Sequence, residues 1–109
     1  MTAPRLVILE SPYAGDVERN VSYALRCLKD SLMRGEAPLA SHLLYTQVLD
    51  DRDPKQRSIG IEAGLAWLRV ADASIVYEDY GISRGMFHGI ARAAERGLPI
   101  EYRTIGQNA

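Results

Sequence analysis

Apolar segments and amphipathic segments alternate along the chain. Four short apolar runs predict strands: Leu6–Leu9, Leu39–Leu44, Ala73–Tyr77 and Leu98–Tyr102. Three longer stretches with helical apolar spacing predict helices: Val17 to about Met33, about Pro54 to about Val70, and the residues after Ser83 to Arg96. This β-α-β-α-β-α-β order predicts an α/β fold with a single domain over residues 1–109. We expect a Rossmann-like three-layer αβα sandwich with a mostly parallel four-stranded sheet in the order 2-1-3-4.

Residues at the ends of the helical stretches match helix start and stop signals. Asp16, Asp53 and Ser83 precede the three stretches and are predicted N-caps. Pro54 suits the first turn of the second helix, and Gly97 is predicted to end the third.

Two glycines, Gly60 and Gly64, lie four residues apart in the predicted second helix. Each costs about 1 kcal/mol relative to alanine in a helix interior. We therefore expect a compensating close approach at these positions, either of another packed segment or of a ligand.

The predicted strand order places a crevice between the first and third strands. In open parallel sheets, ligands bind beyond the strand carboxyl ends, at the point where the order reverses. The loops Ser11–Asp16 and Glu78–Gly85 should therefore face each other, with Tyr45–Gln47 as a side wall. Two helix N-termini at one crevice favour an anionic ligand such as a phosphate.

Composition excludes several classes of protein. Thirteen basic and 14 acidic residues give a net charge of −1, which disfavours broad nucleic-acid binding and polybasic membrane binding. One cysteine, Cys27, and two histidines leave no disulfide framework and no thiolate zinc site. We expect no metal, no cofactor and no membrane span. Met1–Arg5 leads directly into the first strand, so we expect no signal peptide and a cytoplasmic protein.

The candidate ligand-binding residues share a position in the loops that surround the crevice. They are Ser11, Tyr13, Ala14, Gly15, Asp16, Asn20, His42, Gln47, Asp79, Ser83, Gly85 and Met86.

The candidate catalytic residues are Asp79, Glu62 and Tyr13. A carboxylate at a strand end is suited to acid–base work, which favours Asp79, with Tyr13 as a positioning group. Glu62 either projects into the site or is solvated. His42 and His88 are alternatives. His42 has a simpler explanation as a satisfied core or wall histidine, and His88 lies one turn into the predicted third helix.

Four motifs in this order resemble the nucleoside 2-deoxyribosyltransferase superfamily, which includes the deoxynucleoside 5′-monophosphate N-hydrolases. They are Ser11-Pro12-Tyr13-Ala14-Gly15, Trp67–Asp72, Ser83-x-Gly85 and Gly97–Ile100. The sequence resembles even more closely an uncharacterised family of small bacterial and phage domains, which carry similar stretches at 11–15, 40–47 and 81–86.

The resemblance implies a nucleotide-binding domain but does not carry over the usual catalytic residues. Gly89 stands where relatives have a glutamate that acts on the sugar, and Gly64 stands where the hydrolases have an aspartate. Our main hypothesis is therefore a non-catalytic module that binds or sequesters a nucleotide or nucleoside phosphate. The alternative is an N-glycosidase or deoxyribosyltransferase with a non-standard carboxylate; a pure interaction domain is a third possibility.

The resemblance also implies a homodimer or higher homo-oligomer. The face formed by Gly60 and Gly64 beside Trp67 is a candidate for close helix packing between subunits.

Overall fold

Four strands form one fully parallel sheet in the computed structural model, which describes residues 3–106. The strands are β1 (Arg5–Glu10), β2 (Glu36–Leu39), β3 (Ala73–Tyr77) and β4 (Ile100–Arg103). Their order is β2-β1-β3-β4, and each adjacent pair is parallel. The predicted order is therefore confirmed, and the switch point lies between β1 and β3.

Four helices connect the strands: α1 (Val17–Met33), α2 (Ser41–Leu44), α3 (Pro54–Ala66) and α4 (Arg84–Glu95). Short 3₁₀ turns, Tyr45–Gln47 and Trp67–Arg69, follow α2 and α3. The predicted caps are confirmed, because the side chains of Asp16, Asp53 and Ser83 each accept a hydrogen bond from a backbone amide of the first helical turn.

The predicted second strand, Leu39–Leu44, is wrong. The strand is Glu36–Leu39, and Ser41–Leu44 forms α2. The segment 39–44 contains no β-branched residue and includes the polar residues Ser41 and His42, and a segment this short fits either a strand or a helix. Pro38 lies inside β2 opposite Val7, where it is tolerated because β2 is an edge strand.

Alternate residues of the sheet face different helices. Val7, Leu9 and Ile75 pack in a core cluster with Tyr23 and Cys27 of α1. On the opposite face α4 lies against β1, β3 and β4. The sheet is thus covered on both sides, as the three-layer prediction required.

The two glycines of α3 pack against their own chain. A Cβ added at Gly64 would lie 2.5 Å from Ser41 Oγ, and one at Gly60 would lie 3.1 Å from Leu49 Cδ1. The expected compensation is therefore close packing of α3 on the segment that begins with α2. The idea that this glycine face joins two subunits is wrong, because residues of the same chain already occupy it.

An ion-pair network ties three strands together on the α1 side. Glu36 accepts from Arg103 at 2.6 and 2.8 Å, from Arg5 at 2.8 Å and from Ser31 at 2.8 Å. Arg5 also bonds Glu101 at 2.7 Å. Hydrogen bonds from Arg103, together with those from Arg5 and Ser31, outweigh burial and lower the pKa of Glu36 to about 2.

Within residues 3–106, no helix combines the length and the apolar character needed to cross a bilayer.

We predict that Glu36→Gln lowers the free energy of unfolding by roughly 2 to 3 kcal/mol at neutral pH, because it leaves two arginines without their shared carboxylate. The folded pKa lies below the ordinary value of about 4.3, so this stabilisation is present above pH ~4.3 and is lost as the pH falls toward 2.

Urea unfolding between pH 2 and 7 measures both effects. The control is Glu95→Gln, which removes a surface pair with Arg92 at 3.6 Å and should change stability by less than about 0.5 kcal/mol. If acidification lowered the free energy of unfolding of Glu36→Gln as steeply as that of wild type, the assignment of this effect to Glu36 would be contradicted.

Candidate functional site

A cavity of about 540 Å³ lies at the carboxyl end of β1. Its walls come from the loop after β1, from α2 and the turn that follows, from α3, and from the first turns of α4. This volume falls in the range of about 300 to 1,000 Å³ that is typical of small-molecule sites. The cavity therefore occupies the crevice expected at the switch point.

Seven of the candidate ligand-binding residues line this cavity: Ser11, Tyr13, Ala14, His42, Ser83, Gly85 and Met86. His42 does so from α2 rather than from a strand end. Tyr13 is the one candidate catalytic residue among them.

Four other candidate ligand-binding residues lie outside the cavity lining and have structural roles or exposed positions. Asn20 is buried and donates to the carbonyls of Tyr13 and Ala14, both at 3.0 Å, so it fixes the shape of the loop after β1. Asp16 caps α1, and Gly15 precedes it with a φ of +97°. Gln47 is exposed and donates to the Leu43 carbonyl. The start of α4 borders the cavity, whereas the start of α1 does not.

Asp79 is held in a hydrogen-bond network away from the cavity. Its carboxylate accepts from the Tyr23 hydroxyl and from the backbone amides of Ile105 and Gly106. Burial alone would raise the pKa of Asp79, but these hydrogen bonds together lower it below the ordinary value. Asp79 therefore anchors the segment after β4.

Glu62 is exposed on α3 and does not line the cavity. Neither carboxylate favoured by the sequence is therefore placed to act on a molecule bound there. His88, the second histidine, does line the cavity from α4.

Ser11 and His42 form a hydrogen-bonded pair in the cavity wall. Ser11 Oγ lies 2.7 Å from His42 Nε2, and the serine is 4% exposed. Burial lowers the pKa of His42 to about 4, so its imidazole is neutral at pH 7. The pair presents a fixed, uncharged polar surface.

Glu10, the last residue of β1, brings the cavity its most distinctive group. Its carboxyl lies against α4, where a Cβ added at Gly89 would be 2.9 Å from the carboxyl carbon and closer still to Oε2. Protein atoms surround the carboxyl, yet part of the residue stays open to the cavity, and burial raises its pKa to about 8. Within residues 3–106 this carboxyl has no hydrogen-bond or ion-pair partner.

A protein-family model matches residues 5–103 of the chain, a span that includes every residue lining the cavity. The chain belongs to the family described as domain of unknown function (DUF7768). A search of curated proteins finds no match.

Sequence reasoning missed Glu10 in this DUF7768 domain, although a signal was present. Glu10 directly precedes the Ser11-Pro12-Tyr13 loop at the end of a strand that is otherwise apolar. In a parallel sheet, that position opens onto the ligand-binding edge.

Other missed residues belong to the rim and side wall of the cavity. Arg57 of α3 and Arg84 of α4 bring positive charge to its lining. Tyr45 also lines it, and the Trp67 indole donates to the Tyr45 hydroxyl at 2.9 Å. Trp67 therefore holds one aromatic wall in place.

The described part of the DUF7768 domain, residues 3–106, contains no cluster of three or more His, Cys, Asp or Glu side chains that could hold a metal ion. Cys27 is fully buried in the core on the α1 side, and burial raises the pKa of its thiol to about 12. The groups available for chemistry in the cavity are the carboxyls of Glu10 and Asp51, the Ser11–His42 pair, a second histidine, phenols and two arginines.

Proposed function

We propose that the cavity binds a nucleotide or nucleoside phosphate, and that the domain acts as a nucleotide-binding or sequestering module. The observation that carries this proposal is the chemistry of the cavity lining. The first turn of α4 and two arginines line it, and the carboxyl group at the end of β1 lies farther along α4, against Gly89.

The first turn of α4 is suited to a phosphate group. The amides at the start of a helix lack intrahelical acceptors and point toward an approaching anion. A Cβ added at Gly85 would meet nothing within 4 Å, so a ligand has room to approach the backbone there. Arg84 and Arg57 bring positive charge to the lining, and Arg57 is also paired with Asp51 at 3.9 Å.

The remaining walls are suited to a nucleoside. Tyr13 and Tyr45 provide aromatic surface, and Ile8 and Leu65 provide apolar surface. Aromatic and apolar walls with a few fixed polar groups are typical of sites that bind planar organic ligands. The resemblance to the nucleoside 2-deoxyribosyltransferase superfamily supports the same ligand class.

We predict that a nucleoside monophosphate stabilises the wild-type protein against heat. A thermal-shift panel of nucleosides, mononucleotides, dinucleotides and cyclic nucleotides at millimolar concentration measures this. Arg84→Gln should reduce the shift for phosphorylated ligands, whereas Arg96→Gln, at the far end of α4, should leave it unchanged. Absence of any shift across the panel would refute the proposal.

An N-glycosidase or deoxyribosyltransferase is the second candidate, and the Glu10 carboxyl favours it. Cleavage of a glycosidic bond passes through an oxocarbenium-like state and needs a nearby carboxyl group. Glu10 meets that need from within the cavity, whereas Asp79 and Glu62 lie outside it.

If this second candidate is correct, free base should be released from deoxynucleoside monophosphates, and Glu10→Gln should reduce the rate at least about 100-fold, a loss of the size expected for a removed acid–base group. Chromatography of the incubated nucleotide measures release. Glu62→Gln is the matched control and should retain the wild-type rate. Release that persists unchanged in the Glu10 variant would eliminate this role.

We further propose a homodimer, now through the outer side of α3 rather than its glycine face. No residue of α3 is fully buried in the single chain. Ile59 of α3 and Trp67 in the turn that follows it are 52% and 46% exposed. Exposed apolar side chains that form a contiguous patch mark protein–protein contact surfaces. We also propose a cytoplasmic location, where a lone thiol such as Cys27 stays reduced.

Light scattering at micromolar concentration should give twice the mass of one chain, and Ile59→Glu should convert the dimer to monomer by burying a charge in the interface. A wild-type monomer under these conditions would contradict the dimer.

A further inference from the structure

Glu10 is the one carboxyl group among the described residues that lies deep in the cavity without a partner. Elsewhere in residues 3–106 the deeply placed carboxylates are hydrogen-bonded, Glu36 by arginines and Asp79 by backbone amides. A carboxyl group removed from water without hydrogen bonds is costly. A cost of this kind at the wall of a cavity indicates a group that acquires its partner from a ligand.

The space that Glu10 occupies exists because residue 89 is glycine. A Cβ at position 89 would lie 2.9 Å from the carboxyl carbon and closer still to Oε2, distances that real Cβ atoms essentially never show. Gly89 is buried in the middle of α4, where glycine is otherwise unfavourable. The Glu10 carboxyl therefore occupies the space that a side chain at position 89 would otherwise fill.

The distance along α4 indicates which part of a nucleotide reaches this carboxyl. Gly85 and Gly89 are four residues apart, which is about 6 Å along a helix axis at about 1.5 Å per residue. With a phosphate at the first turn of α4, that span reaches the sugar of a nucleotide and falls short of the far edge of its base.

We propose that the Glu10 carboxyl accepts hydrogen bonds from the sugar hydroxyls of the bound nucleoside phosphate, and that Gly89 is the specificity-determining residue that admits this carboxyl to the cavity. The proposal rests on the nucleotide-binding function above and adds the orientation of the ligand to it.

Binding by this geometry is linked to pH. Hydroxyl donors stabilise the ionised carboxylate, so ligand binding lowers the pKa of Glu10 from about 8 in the free protein. The affinity should therefore rise as the pH increases from 7 to 9, and binding should release a proton. The phosphate is already doubly ionised over this range, since its second pKa is about 6.

Other charged or titratable groups face the same cavity. They are Tyr13, His42, Tyr45, Asp51, Arg57, Arg84 and His88. Glu10→Gln leaves all of them in place, so the difference between this variant and wild type isolates the Glu10 carboxyl.

The test is calorimetric titration at pH 7, 8 and 9 with adenosine 5′-monophosphate, its 2′,3′-dideoxy analogue and ribose 5-phosphate. Wild type should bind the two hydroxylated compounds about fivefold more tightly at pH 9 than at pH 7 if binding lowers the pKa by one unit, and about tenfold more tightly if it lowers the pKa much further. It should discriminate against the dideoxy compound. Glu10→Gln should lose both the pH dependence and the discrimination, and Glu78→Gln, which changes an exposed carboxylate at the end of β3, should lose neither.

A double-mutant cycle tests the fit between the two residues. Gly89→Ala should weaken binding in the wild-type background by displacing the carboxyl. In the Glu10→Ala background the same change should have no further effect, because the clashing group is gone. The Glu10→Ala background also keeps the test valid if Gly89→Ala alone fails to fold.

The outcomes separate the two claims. No binding of any probe by wild type overturns the proposed function and this inference with it. Binding that is equal in wild type and Glu10→Gln at every pH overturns the inference alone. Loss of affinity without loss of sugar discrimination overturns the assignment of the sugar to Glu10.

Discussion

The position of β1 in the sheet is the constraint on which the site depends. β1 pairs in parallel with β2 on one side and with β3 on the other. The connection from β1 to β2 therefore runs toward one edge of the sheet, and the connection from β2 to β3 runs back past β1 toward the other edge. The connections on its two flanks therefore cross opposite faces of the sheet, and the carboxyl end of β1 is left uncovered between them. Glu10 and Ser11 lie at that end and line the cavity. The groups proposed to contact a ligand surround this strand end.

Two glutamates on the two sides of the sheet show how the same side chain is used differently. Glu36 is surrounded by arginine and serine donors, which hold its pKa at about 2 and make it a structural anion. Glu10 has no donor within the described residues, and burial raises its pKa to about 8. The first carboxylate stabilises the fold, whereas the second reduces stability at a site where a ligand is able to compensate. This contrast, more than net charge, supports the proposed ligand site on the Glu10 side of the sheet.

Much of the fold follows from local sequence signals, and much of the site does not. The alternation of apolar runs with capped helices predicts β1, α1, β3 and α4, because each depends on short-range patterns. The strand order follows from the alternation of strands with helices and the right-handedness of their crossovers. The prediction of a strand at Leu39–Leu44 failed because the pattern of a segment of that length does not distinguish a strand from a helix. Asp79 misled for a different reason: its partners, Tyr23 and the amides after β4, are distant in sequence, so only the folded chain shows that its carboxylate is engaged. The fit of Glu10 to Gly89 joins residues 79 positions apart and is likewise invisible in either residue alone.

The central claim is that this cavity, and no other surface of the domain, takes a nucleoside phosphate. Backbone amide chemical shifts, recorded by NMR during titration with a nucleoside monophosphate, test it most directly because they report on every part of the chain at once. The account predicts saturable shifts confined to the loop after β1, the segment that begins with α2, and the first turns of α4, centred on Tyr13, His42 and Gly85. Shifts centred instead on the Glu36 network, or no saturable shifts at millimolar ligand, would contradict it.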